Sequence, residues 1–207
     1  MHELFQPLHE GMYYHLFNRG NNGNLIFFNE RNYYYFLEKF GDYLLPYLDV
    51  YAYSLLPNHF HILVRVKEFV ILPPEVRRLR SGTSWLELPE EIISEQFRRF
   101  FLSYAKSIKE QEQRTGSLFE KNFKRKQVST NAYFTVTINY IHRNPETHGY
   151  CSDYKTYPYS SYQSLLSDKP TKLKREEVLD WFGGKEQFIQ YHEANSVIKE
   201  AEFLVIE

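Results

Sequence analysis

The chain has 207 residues, 43% hydrophobic and 25% charged, which suits one core-forming domain or one domain with an appendage. Its single cysteine, Cys151, excludes a disulfide framework and a cysteine-rich zinc site. Met1–Pro7 has no basic segment leading into an apolar stretch, and no apolar run reaches the roughly 18 residues that span a bilayer. The expectation is a soluble, cytoplasmic protein with no membrane partner.

Net charge is −1, which alone argues against a nucleic-acid partner, but the distribution argues the other way. Between Ser94 and Lys126, nine basic residues stand against four acids. A local basic stripe on a neutral chain suits phosphate binding. Over Arg98 to Arg114 a solvated helix face would give the same pattern. The tight group Lys121, Lys124, Arg125 and Lys126 is less easily read that way and is assigned to phosphate contacts. The 18 Tyr and 17 Phe serve core packing first and base stacking second.

In chain order, residues 12–18 read as a strand closed by the turn-rich Arg19–Gly23. Asn29 is a candidate N-cap for a helix from about Glu30 to Leu45. Residues 49–56 form a second strand candidate, and Pro57-Asn58 a turn. In the third, His59 to Val66, the even positions Phe60, Ile62, Val64 and Val66 are apolar. Period-two alternation sends these into a core and shows His59, His61 and Arg65 on the other face. Residues 67–91 read as a long excursion.

An amphipathic helix follows, with Ile93, Phe97, Phe100, Phe101, Tyr104 and Ile108 spaced by three and four. A short strand is expected at Gln127–Ser129. A helix then runs from Thr130 or Asn131 towards Asn144, with a core stripe of Phe134, Ile138 and Ile141, and Pro145 discourages its continuation. The tail carries a helix from Arg175 to Phe182 ended by Gly183-Gly184. This order of elements suggests an α+β fold, an antiparallel sheet with helices on one face.

The sharpest motif is His59-Phe60-His61. Residues i and i+2 of a strand share a face, so two imidazoles can converge on one cation and leave positions open for phosphate oxygens. Arg65, on the same face, suits a phosphate. Tyr140 and Asn144 stand at i and i+4 of the helix, apart from its apolar stripe. A phenol there could attack a phosphodiester while the Asn144 amide oxygen completes the ligand set. Phenols ordinarily titrate near pH ~10, and a cation on the scissile phosphate assists such a nucleophile. Pro145 works against this alignment, because the residue before a proline is pushed out of the helical region. Tyr133, two turns earlier, is an alternative nucleophile, and His142, pointing away from Tyr140, reads as structural.

Leu55-Leu-Pro-Asn-His-Phe-His-Ile-Leu-Val64 followed by Tyr140-Ile-His-Arg-Asn-Pro145 resembles the REP-associated tyrosine transposases, members of the HUH (histidine, hydrophobe, histidine) superfamily of single-strand endonucleases. Asn18-Arg-Gly20, Thr115–Lys126 and Pro158–Tyr162 are similar to further segments of that family. The resemblance implies a ferredoxin-like catalytic domain over residues 1–165, with 166–207 a helical C-terminal extension. It implies Mg or Mn on His59 and His61, Asn144 as third ligand, and Tyr140 as the nucleophile that becomes linked to a DNA 5′ phosphate. Its substrates are single-stranded or hairpin DNA, with Arg19, Arg65 and the Lys121–Lys126 group as DNA contacts and a monomer or homodimer as the assembly.

Two readings compete. A non-catalytic hairpin or single-strand DNA-binding protein derived from a transposase would keep the basic surface without turnover. A phosphoesterase with paired histidine motifs needs a second element that this sequence lacks.

Overall fold

The computed structural model describes residues 4, 6–68 and 89–194. Most of the 67–91 excursion and the last thirteen residues lie outside that set. The core is a four-stranded antiparallel sheet: β1 (Tyr13–Arg19), β2 (Leu48–Leu56), β3 (His59–Val66) and β4 (Lys124–Val128), in the order β2-β3-β1-β4. Helix α1 (Glu30–Leu44) joins β1 to β2, and α2 (Pro89–Gln111) lies between β3 and β4. This β-α-β-β-α-β order with β1 and β3 central is the ferredoxin-like arrangement. The turn Pro57-Asn58 folds β2 onto β3, with Leu56 opposite His59.

Local chemistry accounts for the elements. Helix α1 starts at Asn29 in an extended conformation, where Asn32 Oδ1 accepts the backbone N–H groups of Phe28 (2.9 Å) and Asn29 (3.2 Å). These satisfy donors that a helix start leaves unpaired. Phe36, Phe40 and Leu44 recur every fourth residue and are buried against Phe97, Phe100 and Tyr104 of α2. Phe36 is the hub of this cluster, with ring centroids 5.0–5.3 Å from Phe27, Phe60, Phe100 and Tyr104. Gly20, just past β1, is required by close approach, since a Cβ there would lie 1.8 Å from Asn24 O. Its N–H donates to Asn58 O at 2.8 Å and ties the end of β1 to the β2–β3 turn.

The fold class agrees with the expectation, but the helices do not keep to one face. Tyr14, Leu16, Phe60, Ile62, Val64 and Val66 face α1 and α2. The opposite face is covered by α3 (Asn131–Thr147), whose Phe134, Ile138 and Ile141 pack with Leu63 of β3 and Tyr51 of β2. Both faces are therefore buried, and His59 and His61 lie beneath a helix at 9% and 3% exposure rather than open to solvent. The alternation reading missed this because polar residues facing a helix-covered site look like polar residues facing water.

Three short helices follow among the described residues: α4 (Tyr162–Leu166), α5 (Arg175–Phe182) and α6 (Lys185–Ala194). Gly183, at φ 87°, ends α5 in the left-handed conformation that glycine adopts without strain. The exposed edge of β2 is covered by this tail: Leu55 N donates to Tyr159 O, Ser161 N to Tyr53 O and Lys174 N to Val50 O, each at 2.9 Å. Such pairing blunts a sheet edge that could otherwise join another chain. Trp181 of α5 packs on Phe134 of α3 at 4.2 Å, and Val178 and Phe188 share its buried cluster.

Helix α6 is tied to α3 by a buried relay. His192 Nδ1 donates to Phe188 O at 2.8 Å, so its Nε2 accepts the His142 Nδ1 proton at 2.9 Å. His142 Nε2 is then left to accept from Ser161 Oγ at 2.8 Å, and that oxygen also receives Tyr53 N–H at 2.9 Å. His142 is structural, as its position on α3 suggests. Burial holds both imidazoles neutral, with His192 lowered from 6.5 to about 4 and His142 well below its ordinary value. The Arg143 guanidinium adds to the effect at His192. Above pH ~6.5 neither state of the chain binds the protons; as pH falls from there towards 4, the unfolded chain takes them up and the folded chain does not. The unfolding midpoint should therefore drop steadily between pH 7 and pH 4.5. A midpoint that is flat or rises over this window in thermal melts contradicts the relay.

Candidate active site

Helix α3 crosses the sheet with Tyr140 and Asn144 turned towards β3. Four helix residues advance ~6 Å, and two strand residues ~6.7 Å, so a pair at i, i+4 on the helix meets a pair at i, i+2 on the strand. Tyr140 packs against His61, with ring centroids 5.4 Å apart at 86°, and Asn144 Oδ1 lies 3.0 Å from His59 Nε2. Contrary to expectation, α3 continues through Pro145 to Thr147. Asn144 and Pro145 are buried against the sheet, and tertiary packing overrides the local preference that a proline imposes on its neighbour. The extra turn brings His148 beside His59, with centroids 4.9 Å apart.

The partners of each ring fix where its proton sits. Asn58 Oδ1 lies 2.7 Å from His59 Nδ1 and accepts the Tyr150 hydroxyl at 3.2 Å, while Asn58 Nδ2 reaches Gly23 O at 3.4 Å. The Asn58 oxygen therefore accepts the His59 Nδ1 proton, and Nε2 presents a lone pair to Asn144 Oδ1, itself an acceptor. Two acceptors at 3.0 Å repel unless a cation lies between them, His59 carries a second proton on Nε2 that it donates to Asn144 Oδ1, or the Asn144 amide turns its Nδ2, which is buried without a hydrogen-bond partner. His61 Nε2 is likewise buried and without a partner, and its Nδ1 lies 2.9 Å from His15 Nε2. Burial, reinforced by the other imidazoles around it, pushes the His61 pKa well down, and burial with the Lys126 charge lowers His15 to about 3. All this favours neutral rings able to donate lone pairs.

Among the described residues, no group of three or more His, Cys, Asp or Glu is arranged to hold a metal ion. The set available is two imidazole nitrogens, His59 Nε2 and His61 Nε2, and the Asn144 amide oxygen. That set fits a divalent cation: His61 Nε2 is buried with no hydrogen-bond partner, and the contact between His59 Nε2 and Asn144 Oδ1 supplies two further ligand atoms. Two nitrogens and one oxygen suit Mn better than Mg, which prefers an all-oxygen shell.

A cavity of about 140 Å³ opens beside the imidazoles, lined by Phe17, Asn18, Arg19, Asn58, His59, His61, Lys124, His148 and Tyr150, among others. Tyr140 and Asn144 are outside this lining, on the α3 side of the rings.

The basic residues named from sequence divide. Arg19 and Lys124 line the cavity and share Glu120, at 3.5 and 4.0 Å. Lys126 is on the same sheet face, its ammonium 5.8 Å from the Tyr133 ring. Arg125 points to the opposite face, where its Nε donates to Gln6 O and its guanidinium lies over Phe123. Lys121 is exposed in the bend before β4, outside the cavity. Arg65 is on the histidine face but at the far end of β3, where it bonds Gly11 O and Glu68. Arg98 and Arg99 both engage Glu95 on α2, across the sheet from the site. Sequence reasoning missed His15, Asn58, His148 and Tyr150. His15 alternates with Tyr13 and Phe17 along β1, so strand periodicity carried a signal for it. The other three required knowing which turns meet.

No protein-family model matches this chain, and no curated protein matches it. Among solved structures, a REP-associated tyrosine transposase bound to a REP hairpin matches with a TM-score of 0.57 at 12% identity, covering 82% of this chain and 89% of that one. At that identity the likeness shows a shared fold. No helix among the described residues is long and apolar enough to cross a membrane.

Tyr140 is half-buried and meets His61 and His15 through its ring. Tyr140→Phe keeps that ring and should leave stability within about 1 kcal/mol of the parent. A loss above about 3 kcal/mol in urea unfolding would show that the phenol hydroxyl holds the structure together.

Proposed function

We propose that this chain is a metal-dependent single-strand DNA endonuclease and strand transferase of the transposase type, acting through Tyr140 on single-stranded or hairpin DNA. One observation carries the reading: the Tyr140 ring packs directly on His61, whose buried Nε2 has no hydrogen-bond partner, one step along β3 from the His59 Nε2–Asn144 Oδ1 contact. The fold shared with a hairpin-bound transposase supports it.

In this reading His59, His61 and Asn144 hold Mn or Mg, which when bound polarises the scissile phosphate. Tyr140 Oη attacks phosphorus as its proton leaves. The bond from phosphorus to the 3′ oxygen breaks, and that oxygen leaves as a 3′ hydroxyl after taking up a proton. A phosphotyrosine ester to the 5′ side remains, and attack by a 3′ hydroxyl reverses the step, so rejoining needs no external energy. Arg19 and Lys124 in the cavity, with Lys126 beside Tyr133, contact flanking phosphates. Asn58 keeps His59 in the tautomer whose lone pair faces the site.

A labelled hairpin oligonucleotide incubated with Mn should yield a protein–DNA adduct on a denaturing gel. The adduct should vanish in Tyr140→Phe while hairpin binding persists; an adduct that survives the substitution overturns the nucleophile assignment. Mn should support cleavage at lower concentration than Mg, and equal or better activity with Mg would contradict the nitrogen-rich ligand set. His61→Ala should weaken Mn binding by at least about tenfold in calorimetry with the fold intact, and unchanged affinity would remove His61 from the ligands.

A further inference from the structure

We propose that His15 is the positioning residue of this site: its Nε2 accepts the proton on His61 Nδ1 and so keeps the His61 Nε2 lone pair directed into the site. The inference deepens the proposed function, because it takes Nε2 as the atom that binds the cation.

The two rings are placed by the sheet. In the β1–β3 ladder Phe17 lies opposite His61 and His15 opposite Leu63, so His15 is the diagonal neighbour of His61 on the same face. The imidazoles stack at 25° with centroids 5.1 Å apart, and the Nε2–Nδ1 distance is 2.9 Å. Both residues are buried, at 1% and 3% exposure, so no solvent competes for this bond.

A neutral imidazole carries one proton, so the bond has two possible directions. If His15 donated, His61 would carry its proton on Nε2, where no hydrogen-bond partner exists and no lone pair would remain for a cation. If His61 donates, Nε2 becomes a lone pair facing the site, at the cost of an unpartnered Nδ1–H on His15. The second direction reproduces at His61 what Asn58 does at His59: in each ring Nδ1 is engaged by an outer residue and Nε2 is presented. Such outer partners fix the tautomer and ring orientation of metal-binding histidines. Stacking on Phe17, with centroids 4.9 Å apart, and edge contact with Tyr140 hold the His15 ring in place.

The test compares His15→Gln, whose amide can reach the Nε2 position with an acceptor, and His15→Leu, which fills similar space without one. Mn binding followed by calorimetry should weaken about 10- to 100-fold in His15→Leu and recover most of that loss in His15→Gln, with both variants folded by circular dichroism. In the metal-free parent, imidazole ¹H–¹⁵N correlation spectra should show the His61 proton on Nδ1. A proton on His61 Nε2 in the parent, or full Mn affinity in His15→Leu, overturns the proposal. A parent protein that binds no Mn defeats the proposed function instead, and the tautomer spectrum still decides the role of His15.

Discussion

The structure depends on the crossing of α3 over β3. The near-equality of a four-residue helix step and a two-residue strand step pairs Tyr140 with His61 and Asn144 with His59. A shift of one residue along either element would break both pairings at once. Much of the remaining architecture holds this crossing. Phe134, Ile138 and Ile141 seat the helix on Leu63 and Tyr51, α5 and α6 cover it from outside, and the His142–His192 relay locks α6 onto it.

Burial gives the site its chemical character. Below a helix and away from water, imidazoles stay neutral and their lone pairs are not dissipated in bulk hydrogen bonds. The same burial makes an unpaired acceptor costly, so His61 Nε2, buried with no hydrogen-bond partner, favours a positive partner in the proposed reading. Arg19 and Lys124 do not fill that role: both lie near Glu120 along the cavity, where they suit an anion entering from solvent. The molecule thus separates two electrostatic tasks, with neutral donors inside and screened cations at the mouth.

Much of this was legible in the residues. Alternation over His59–Val66 placed both histidines on one face, and the i, i+4 spacing put Tyr140 and Asn144 on one side of a helix. The apolar stripes of α1, α2 and α3 and the glycine stop at Gly183 also follow from pattern. What failed was information held in tertiary contacts. The local rule against a helical residue before proline yields to the burial of Asn144 and Pro145. Arg65 shares the histidine face but stands at the wrong end of the strand, which periodicity cannot see. Arg125 sits in a basic run whose alternate members face opposite sides, a distinction visible only once Lys124–Val128 is known to be a strand. His15 lay hidden because a histidine in an apolar strand gains meaning only from the strand that pairs with it.

The central claim is that the lone pairs at the α3–β3 crossing converge on a cation. It is tested most directly by crystals soaked in Mn and examined by anomalous scattering. The account predicts one strong anomalous peak within bonding distance of His59 Nε2, His61 Nε2 and Asn144 Oδ1. A map with no peak there, and with the Asn144 amide turned to donate its Nδ2 proton to His59, would contradict it.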